Sequence, residues 1–355
     1  MTSFTIEIDG RPVQARPGDT VLELARGQGI DIPTLCHDPR LEPAGCCRSC
    51  LVEIEGQRRL QPACTWKATP GLKVSTRSER IERHRRVLMS LYLADHPVDA
   101  DGRPPESPDG NALRHLTEGM PLLDLDRIDS PRAGRPDDDN PYIRFDPARC
   151  ILCARCTRYC DEVEAVNAIA LTERGGATTI GTIGMTGLLH TSCELCGGCI
   201  DTCPTGALSE KKNADLDLAA AEVTRTTCNF CGVGCQVDLH VLDGRVVRVT
   251  SPPPGTTVND GNLCVKGRFA FDFIHSEDRL TEPLVRGEDG RLHPTTWQDA
   301  IEKTAAGLLG VKRRHGPGSL GFISSSRCTG EENYLVQKLA RAAFGTNDCH
   351  QCAAT

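Results

Sequence analysis

An α+β chain of several small modules in tandem is the fold class this sequence predicts, on three observations. Sixteen of its twenty cysteines fall into four short runs: Cys36/Cys47/Cys50/Cys64, Cys150/Cys153/Cys156/Cys160, Cys193/Cys196/Cys199/Cys203 and Cys228/Cys231/Cys235/Cys264. Only 4% of the 355 residues are aromatic, while 34 are glycine and 23 proline, which argues against one large core. The apolar pattern changes along the chain, from short alternating runs at the start to a helix–strand–helix rhythm after Trp297. The length leaves room for two or three ordinary domains of roughly 100–200 residues each. Modules this small need staples, and bound metal supplies them because its binding free energy becomes folding free energy.

The elements follow in order. Phe4–Ile8 alternates apolar and polar side chains, and Asp9-Gly10 supplies a primed hairpin turn before Arg11–Ala15. Thr20–Gly27 reads as a short amphipathic helix that Gly29 stops. Leu51–Ile54, Glu55-Gly56 and Arg58–Gln61 read as a second hairpin. This first module, residues 1–77, resembles the β-grasp fold of ferredoxins. Thr76 with Glu79 offers a capping box for a helix to about Ala94. Its basic run, Arg77 to Arg86, reads as a solvated face. Residues 97–147, rich in Pro, Asp and Gly, read as linker or weakly ordered loop. Residues 148–208 hold two similar cysteine runs, an internal duplication, and Ser209–Ala221 reads as a second linker, part helix. Beyond Val223, Gln236–Leu242, Asp243-Gly244 and Arg245–Thr250 make a hairpin. Trp297–His315 reads as a helix, Leu320–Ser324 as a buried strand, and Glu331–Phe344 as a helix stopped by Gly345.

The cysteine spacings point to iron–sulfur chemistry. C-x2-C-x2-C-x3-C occurs twice, with Pro204 after Cys203, as in ferredoxins that hold two [4Fe–4S] clusters. In such pairs the fourth cysteine of each run ligates the other cluster. The expected sets are therefore Cys150, Cys153, Cys156 and Cys203 for one, and Cys193, Cys196, Cys199 and Cys160 for the other. The first run, C-x10-C-x2-C-x13-C, suits a [2Fe–2S] centre, with zinc as the alternative because C-x2-C pairs also hold zinc. Cys46 beside Cys47 leaves an ambiguity of one residue; choosing Cys47 preserves the x2 step to Cys50 and makes Cys46 a bystander. The fourth run, C-x2-C-x3-C-x28-C, puts three thiolates on one turn, and the following hairpin returns the chain to Cys264. Lys266, two residues on, places a cation beside that centre. Cys328, Cys349 and Cys352 are left over.

Composition narrows the function. A net charge of −7 gives no reason to expect nucleic acid binding. The start, MTSFTIEIDGRP, has neither a basic-then-apolar signal nor twin arginines. The longest apolar stretch, around Val87–Ala94, falls far short of the ~18 residues of a membrane span. A reducing cytoplasm with thiols spent on metal fits better than a secreted disulfide framework. No Gly-rich dinucleotide loop or P-loop is present, so a nucleotide site is expected on another subunit.

This order of motifs resembles the N-terminal half of the α subunit of cytoplasmic, NAD-linked formate dehydrogenases. These are molybdenum or tungsten enzymes with a bis-molybdopterin guanine dinucleotide cofactor, and the resemblance covers essentially the whole chain. It implies six segments: a [2Fe–2S] ferredoxin-type domain over 1–77, a degenerate His/Cys region over 78–118 and a linker over 119–140. A double [4Fe–4S] domain over 141–210, a [4Fe–4S] domain of the Mo/W bis-pterin type over 221–277 and an incomplete α/β catalytic domain over 278–355 complete them. Lys266 then matches the family lysine between the last [4Fe–4S] cluster and the pterin, the one residue here nearest the catalytic step. Ser324–Asn347 is similar to the first strand–helix unit of the catalytic domain, which makes Cys328 structural. One [2Fe–2S] and three [4Fe–4S] clusters are implied, with the pterin only in a longer product. Formate would be oxidised to CO2, and the electrons would leave through a flavin-containing, NAD-reducing diaphorase partner.

Two departures carry expectations. The family has His-x3-Cys-x2-Cys-x5-Cys after its first module; here His96 is kept, Ala100 stands where the first cysteine belongs, and no cysteine lies between Cys64 and Cys150. That cluster should be absent and His96 an ordinary surface histidine. The ending, GTNDCHQCAAT, leads in the family into the metal-coordinating cysteine or selenocysteine, which counting from Gly345 places immediately after Thr355. A UGA codon read as termination is one explanation; deliberate truncation or a fragmentary sequence is the other. His350 and Ala354 stand where the family tends to have Asp and Arg. Two further readings stay open: a related molybdopterin oxidoreductase with another substrate, and a non-catalytic electron-transfer subunit like that of respiratory complex I. The latter would not be expected to carry the eight-cysteine pair.

Overall fold

The computed structural model describes residues 3–108, 110–130, 132, 138–212 and 216–352. Parts of both expected linkers, and residues 353–355, lie outside them. The chain divides into two compact units, Met1–Ala220 and Ala221–Thr355.

In the first unit, β1 (Phe4–Ile8) and β2 (Arg11–Ala15) pair antiparallel across Asp9-Gly10, whose φ angles of 50° and 78° are those of a primed turn. The period of two sends Ile6, Ile8, Val13 and Ala15 into one core. α1 (Val21–Gly27) starts at a Thr20/Glu23 capping box and packs Val21, Leu22 and Ala25 into the same core. β3 (Leu51–Ile54), β4 (Gln61–Pro62) and β5 (Lys73–Ser75) complete a five-stranded sheet of order β2-β1-β5-β3-β4. The second hairpin is shorter than expected. Only Leu51 and Val52 pair with β4, starting at Gln61 rather than Arg58, while Glu53 and Ile54 pair with β5 on the other edge.

α2 (Glu79–Ala94) is capped by Ser78, whose hydroxyl accepts from the Ile81 amide at 3.2 Å. The expected cap, Thr76, is spent on Asp9 instead, through its amide (2.7 Å) and hydroxyl (2.5 Å). Nor is the basic run wholly solvated: Arg85 is buried and donates to the Thr76 carbonyl. Residues 97–147 are likewise more than loop. α3 (Ala112–Thr117) is capped by Asn111, buries Leu113 completely, and lets Arg114 pair with Asp99, Asp101 and Glu106. His96 is not a surface residue but 1% exposed, its Nδ1 2.8 Å from the Pro97 carbonyl.

The duplicated segment runs through β6 (Ile143–Phe145), α4 (Arg155–Arg158), β7 (Ala170–Thr172), β8 (Thr179–Gly181), α5 (Gly198–Asp201) and β9 (Leu208–Glu210). β6 pairs antiparallel with β9 and joins the segment's two ends, so Ser209 and Glu210 are strand rather than linker.

In the second unit, β10 (Glu222–Thr227) adds an edge to the expected hairpin of β11 (Gln236–Leu242) and β12 (Arg245–Thr250). After α6 (Val265–Phe269) come a small hairpin, β13 (Leu284–Arg286) with β14 (Leu292–Pro294), and the long helix α7 (Trp297–His315). β15 (Phe322–Ser325) pairs parallel with β16 (Cys349–Cys352). Between them α8 (Gly330–Lys338) runs through a π turn to Phe344 and stops at Gly345, φ 72°. β15 is not the buried strand expected, since Ile323 is 76% exposed. Only its Phe322 finds an aromatic neighbour, Phe344, at 5.4 Å between ring centroids. Among the described residues no helix is long and apolar enough to cross a membrane.

Candidate iron–sulfur centres

Every cysteine whose side chain is described is free of disulfides. Cys36, Cys47, Cys50 and Cys64 are each at most 3% exposed, on the loop between α1 and β3 and at the end of β4. Cys50 Sγ lies 3.4 Å from Cys64 Sγ, and the Cys47 amide donates to Cys36 Sγ at 3.4 Å. Cys46 is exposed, and its thiol donates to the Cys153 carbonyl at 3.5 Å. Sulfur contact with Cys36 pushes the Cys47 thiol well above its ordinary range, and contact with Cys50 does the same for Cys64. Cys46 falls to about 7 through its hydrogen bond with Cys36. Cys36, Cys47 and Cys64 thus resist ionising on their own, while the contact with Cys64 favours the Cys50 thiolate, and a cationic iron centre would displace the remaining protons.

The duplicated runs interleave. Cys150, Cys153, Cys156 and Cys203 line one cavity of about 20 Å³, and Cys193, Cys196, Cys199 and Cys160 line a second of about 410 Å³. In each run the chain wraps the cavity with left-handed residues, Leu152 (φ 54°) and Ala154 (57°) in one, Leu195 (54°) and Gly197 (77°) in the other. Such backbone strain persists only where the surroundings hold it, and it recurs at ligand clamps. It aims amides at sulfur: Leu152 N to Cys150 Sγ and Leu195 N to Cys193 Sγ, both 3.4 Å, with Ala168 N to Cys160 Sγ at 3.2 Å and Leu208 N to Cys203 Sγ at 3.4 Å. These donors stabilise negative charge on sulfur, as a cluster ligand requires. Burial raises the Cys150 thiol to about 11 and Cys153 to about 12. No group of three His, Cys, Asp or Glu side chains among the described residues gathers tightly enough for a single ion.

Tyr159 and Gly198 seat the two runs against each other. An added Cβ on Gly198 would fall 2.0 Å from Tyr159 Cε1, so only glycine admits the buried ring there. Sequence reasoning missed this pair, because nothing local marks a glycine as facing a tyrosine 39 positions away.

In the second unit Cys228, Cys231 and Cys235 are half-buried and Cys264 is exposed at the start of α6. Asn259 ties this site together: its amide donates to the carbonyls of Gln236 and Asn262 and to Ser251 Oγ, and its oxygen accepts from the Gln236 amide at 2.9 Å. Burial raises the Cys228 and Cys235 thiols, while the Lys266 ammonium draws Cys228 downward. A Cβ on Gly267 would stand 3.5 Å from Cys228 Sγ, so α6 runs close against the cysteine turn. Cys328 and Cys349 join none of these sets; Cys328 opens the turn into α8.

Comparison with known proteins accords with this geometry. Residues 1–79 match a 2Fe-2S iron-sulfur cluster binding domain, and residues 140–209 the ferredoxin-like domain of NADH-quinone oxidoreductase subunit 3. Residues 221–276 match the molybdopterin oxidoreductase Fe4S4 domain and residues 279–354 the molybdopterin oxidoreductase domain. The chain is 38% identical over 350 residues to the NADPH-Fe(3+) oxidoreductase subunit alpha of Geobacter sulfurreducens, covering 98% of this chain and 40% of that one. It is 37% identical over 361 residues to an NADH-quinone oxidoreductase subunit of Rhizobium meliloti, covering 97% and 40%. YrhE of Bacillus subtilis, provisionally named a formate dehydrogenase, is 30% identical over 395 residues, covering 99% and 40%. The chain thus spans about 40% of the length of these curated relatives. A crystal structure of an NAD+-reducing [NiFe]-hydrogenase matches at TM-score 0.54 and 31% identity, covering 61% of this chain and 91% of that one. By these matches the chain belongs to the molybdopterin oxidoreductase family, of which it carries the iron–sulfur, electron-transfer portion.

Proposed function

We propose that this chain holds one [2Fe–2S] and three [4Fe–4S] clusters and relays electrons between a molybdopterin site and a nicotinamide-linked partner subunit, in a reducing cytoplasm. The ligands are the sixteen cysteines of the four runs, with Cys47 rather than Cys46 in the first. When bound, the clusters supply one-electron acceptors whose potentials the protein tunes. The chain's own residues do the rest: buried thiolates anchor, strained loops aim amides at sulfur, and Lys266 offsets negative charge at the last centre. One observation carries the relay reading. Ligands of different centres share packing: Cys36 and Cys47 lie in one apolar cluster with Cys153.

Formate is the substrate we assign to the molybdenum or tungsten end. The likeness of Ser324–Asn347 to the family's first strand–helix unit supports it, as does the similarity to YrhE. A second reading follows from the higher identity of the Geobacter and Rhizobium relatives: the same relay drawing electrons from reduced nicotinamide toward an acceptor other than CO2. The protein encoded by the complete reading frame separates them. Formate-dependent reduction of a viologen dye supports the first. Dye reduction by NADPH or NADH with the partner subunit, and none with formate, supports the second.

A further inference from the structure

Asp38 stands two residues after Cys36, is 2% exposed, and belongs to no ligand set. Its Oδ1 accepts from Arg40, through the backbone amide (3.0 Å) and Nε (2.9 Å), within its own loop. Its Oδ2 accepts from Arg40 Nη2 at 2.8 Å and reaches the neighbouring module, accepting from Arg155 Nη2 at 3.1 Å and Thr202 Oγ1 at 2.8 Å. Arg155 in turn donates to Thr202 Oγ1 at 3.1 Å. Arg155 immediately precedes Cys156, and Thr202 immediately precedes Cys203. One buried carboxylate therefore ties the loop of the first centre to two ligand-bearing turns of the second. Arg158 reinforces the seam by donating to the Cys36 and Glu42 carbonyls, both at 2.6 Å, and the Glu42 amide donates to Glu162 at 2.7 Å.

We propose that Asp38 is a positioning residue for electron transfer, fixing the separation and orientation of the first centre relative to the centre at Cys150, Cys153, Cys156 and Cys203. The inference rests on the cluster assignment proposed above. The step it serves moves a single electron from one reduced centre to the other, oxidised one, with no bond made or broken. A buried anion held by two guanidiniums and a hydroxyl is costly to leave half-satisfied, so removing any one partner loosens the whole seam.

The test uses the whole chain, reconstituted anaerobically, as wild type, Asp38→Asn, Asp38→Glu, Arg155→Met and Thr202→Val. Iron and acid-labile sulfide report cluster content. Paramagnetic resonance of the fully reduced protein reports the magnetic interaction between the first two centres, and freeze-quench reduction reports transfer between them. The expected result is wild-type iron content in Thr202→Val and Arg155→Met. Both should show a weakened interaction and roughly tenfold slower transfer, a factor worth about 1.4 kcal/mol in the barrier. Asp38→Asn should be worse, with Asp38→Glu restoring part of the loss. An unchanged interaction and rate in Thr202→Val and Arg155→Met, with full iron, would overturn the proposal even if the Asp38 variants lost iron. A wild-type chain without iron would instead overturn the cluster assignment.

Discussion

A single carbon decides whether the duplicated runs close on each other. Gly198→Ala would drive a methyl into the Tyr159 ring, and overpacking of this kind costs about 1–3 kcal/mol. Urea melts of the reconstituted chain should show that loss, and Tyr159→Leu in the same background should recover part of it. His96 makes a second residue-scale prediction. Burial holds its imidazole below the ordinary value, so it is neutral when folded and charges more readily when unfolded. With the folded value depressed, the unfolded chain binds more protons as pH falls through 6.5, and stability is lost there. Between pH 7 and pH 5.5, His96→Gln should lose less stability than wild type; an equal loss would remove His96 as the cause. Gly198 did not announce itself, and His96, expected at the surface, is buried. The cysteine spacings were legible because their ligand geometry is local. Asp38 and Tyr159 take their roles from partners roughly 40 to 160 positions away, and no periodicity records such contacts.

At the scale of elements, turns were read best. Asp9-Gly10 and Asp243-Gly244 fix their hairpins because both residues accept positive φ, and α7 carries its own cap in Thr296. Caps and strands that depend on competition were read less well. Thr76 had the capping spacing, but Asp9 bonds it and leaves the role to Ser78. Ser78→Ala should therefore cost about 1 kcal/mol, as loss of a helix cap does. Thr76→Ala should instead weaken the join between α2 and the first hairpin. Thermal melts of the two single variants and the double variant would give additive losses, since the contacts are separate. β10 escaped notice because every residue on it is exposed, so no alternation of burial marks it in the sequence. The 97–147 stretch misled by composition: its Pro, Asp and Gly content signalled loop, while Arg114 satisfies three carboxylates and Leu113 anchors α3.

Across the whole molecule, cysteine supplies what apolar area does not. Many thiols sit in or beside the small apolar clusters, Cys50 and Cys64 in the first core, Cys36, Cys47 and Cys153 in another, Cys228 and Cys235 beside a third. Metal removal should then be a folding experiment. Acid or strong chelation should lower the melting temperature steeply, and re-addition of iron and sulfide should restore it. The central claim, that four inorganic iron centres staple and wire this chain, is tested most directly by metal and acid-labile sulfide analysis of the anaerobically reconstituted protein. About fourteen irons per chain, with matching sulfide and one [2Fe–2S] signal, are expected. Zinc at one or two sites with little sulfide, or a folded, colourless, iron-free chain, would contradict that claim.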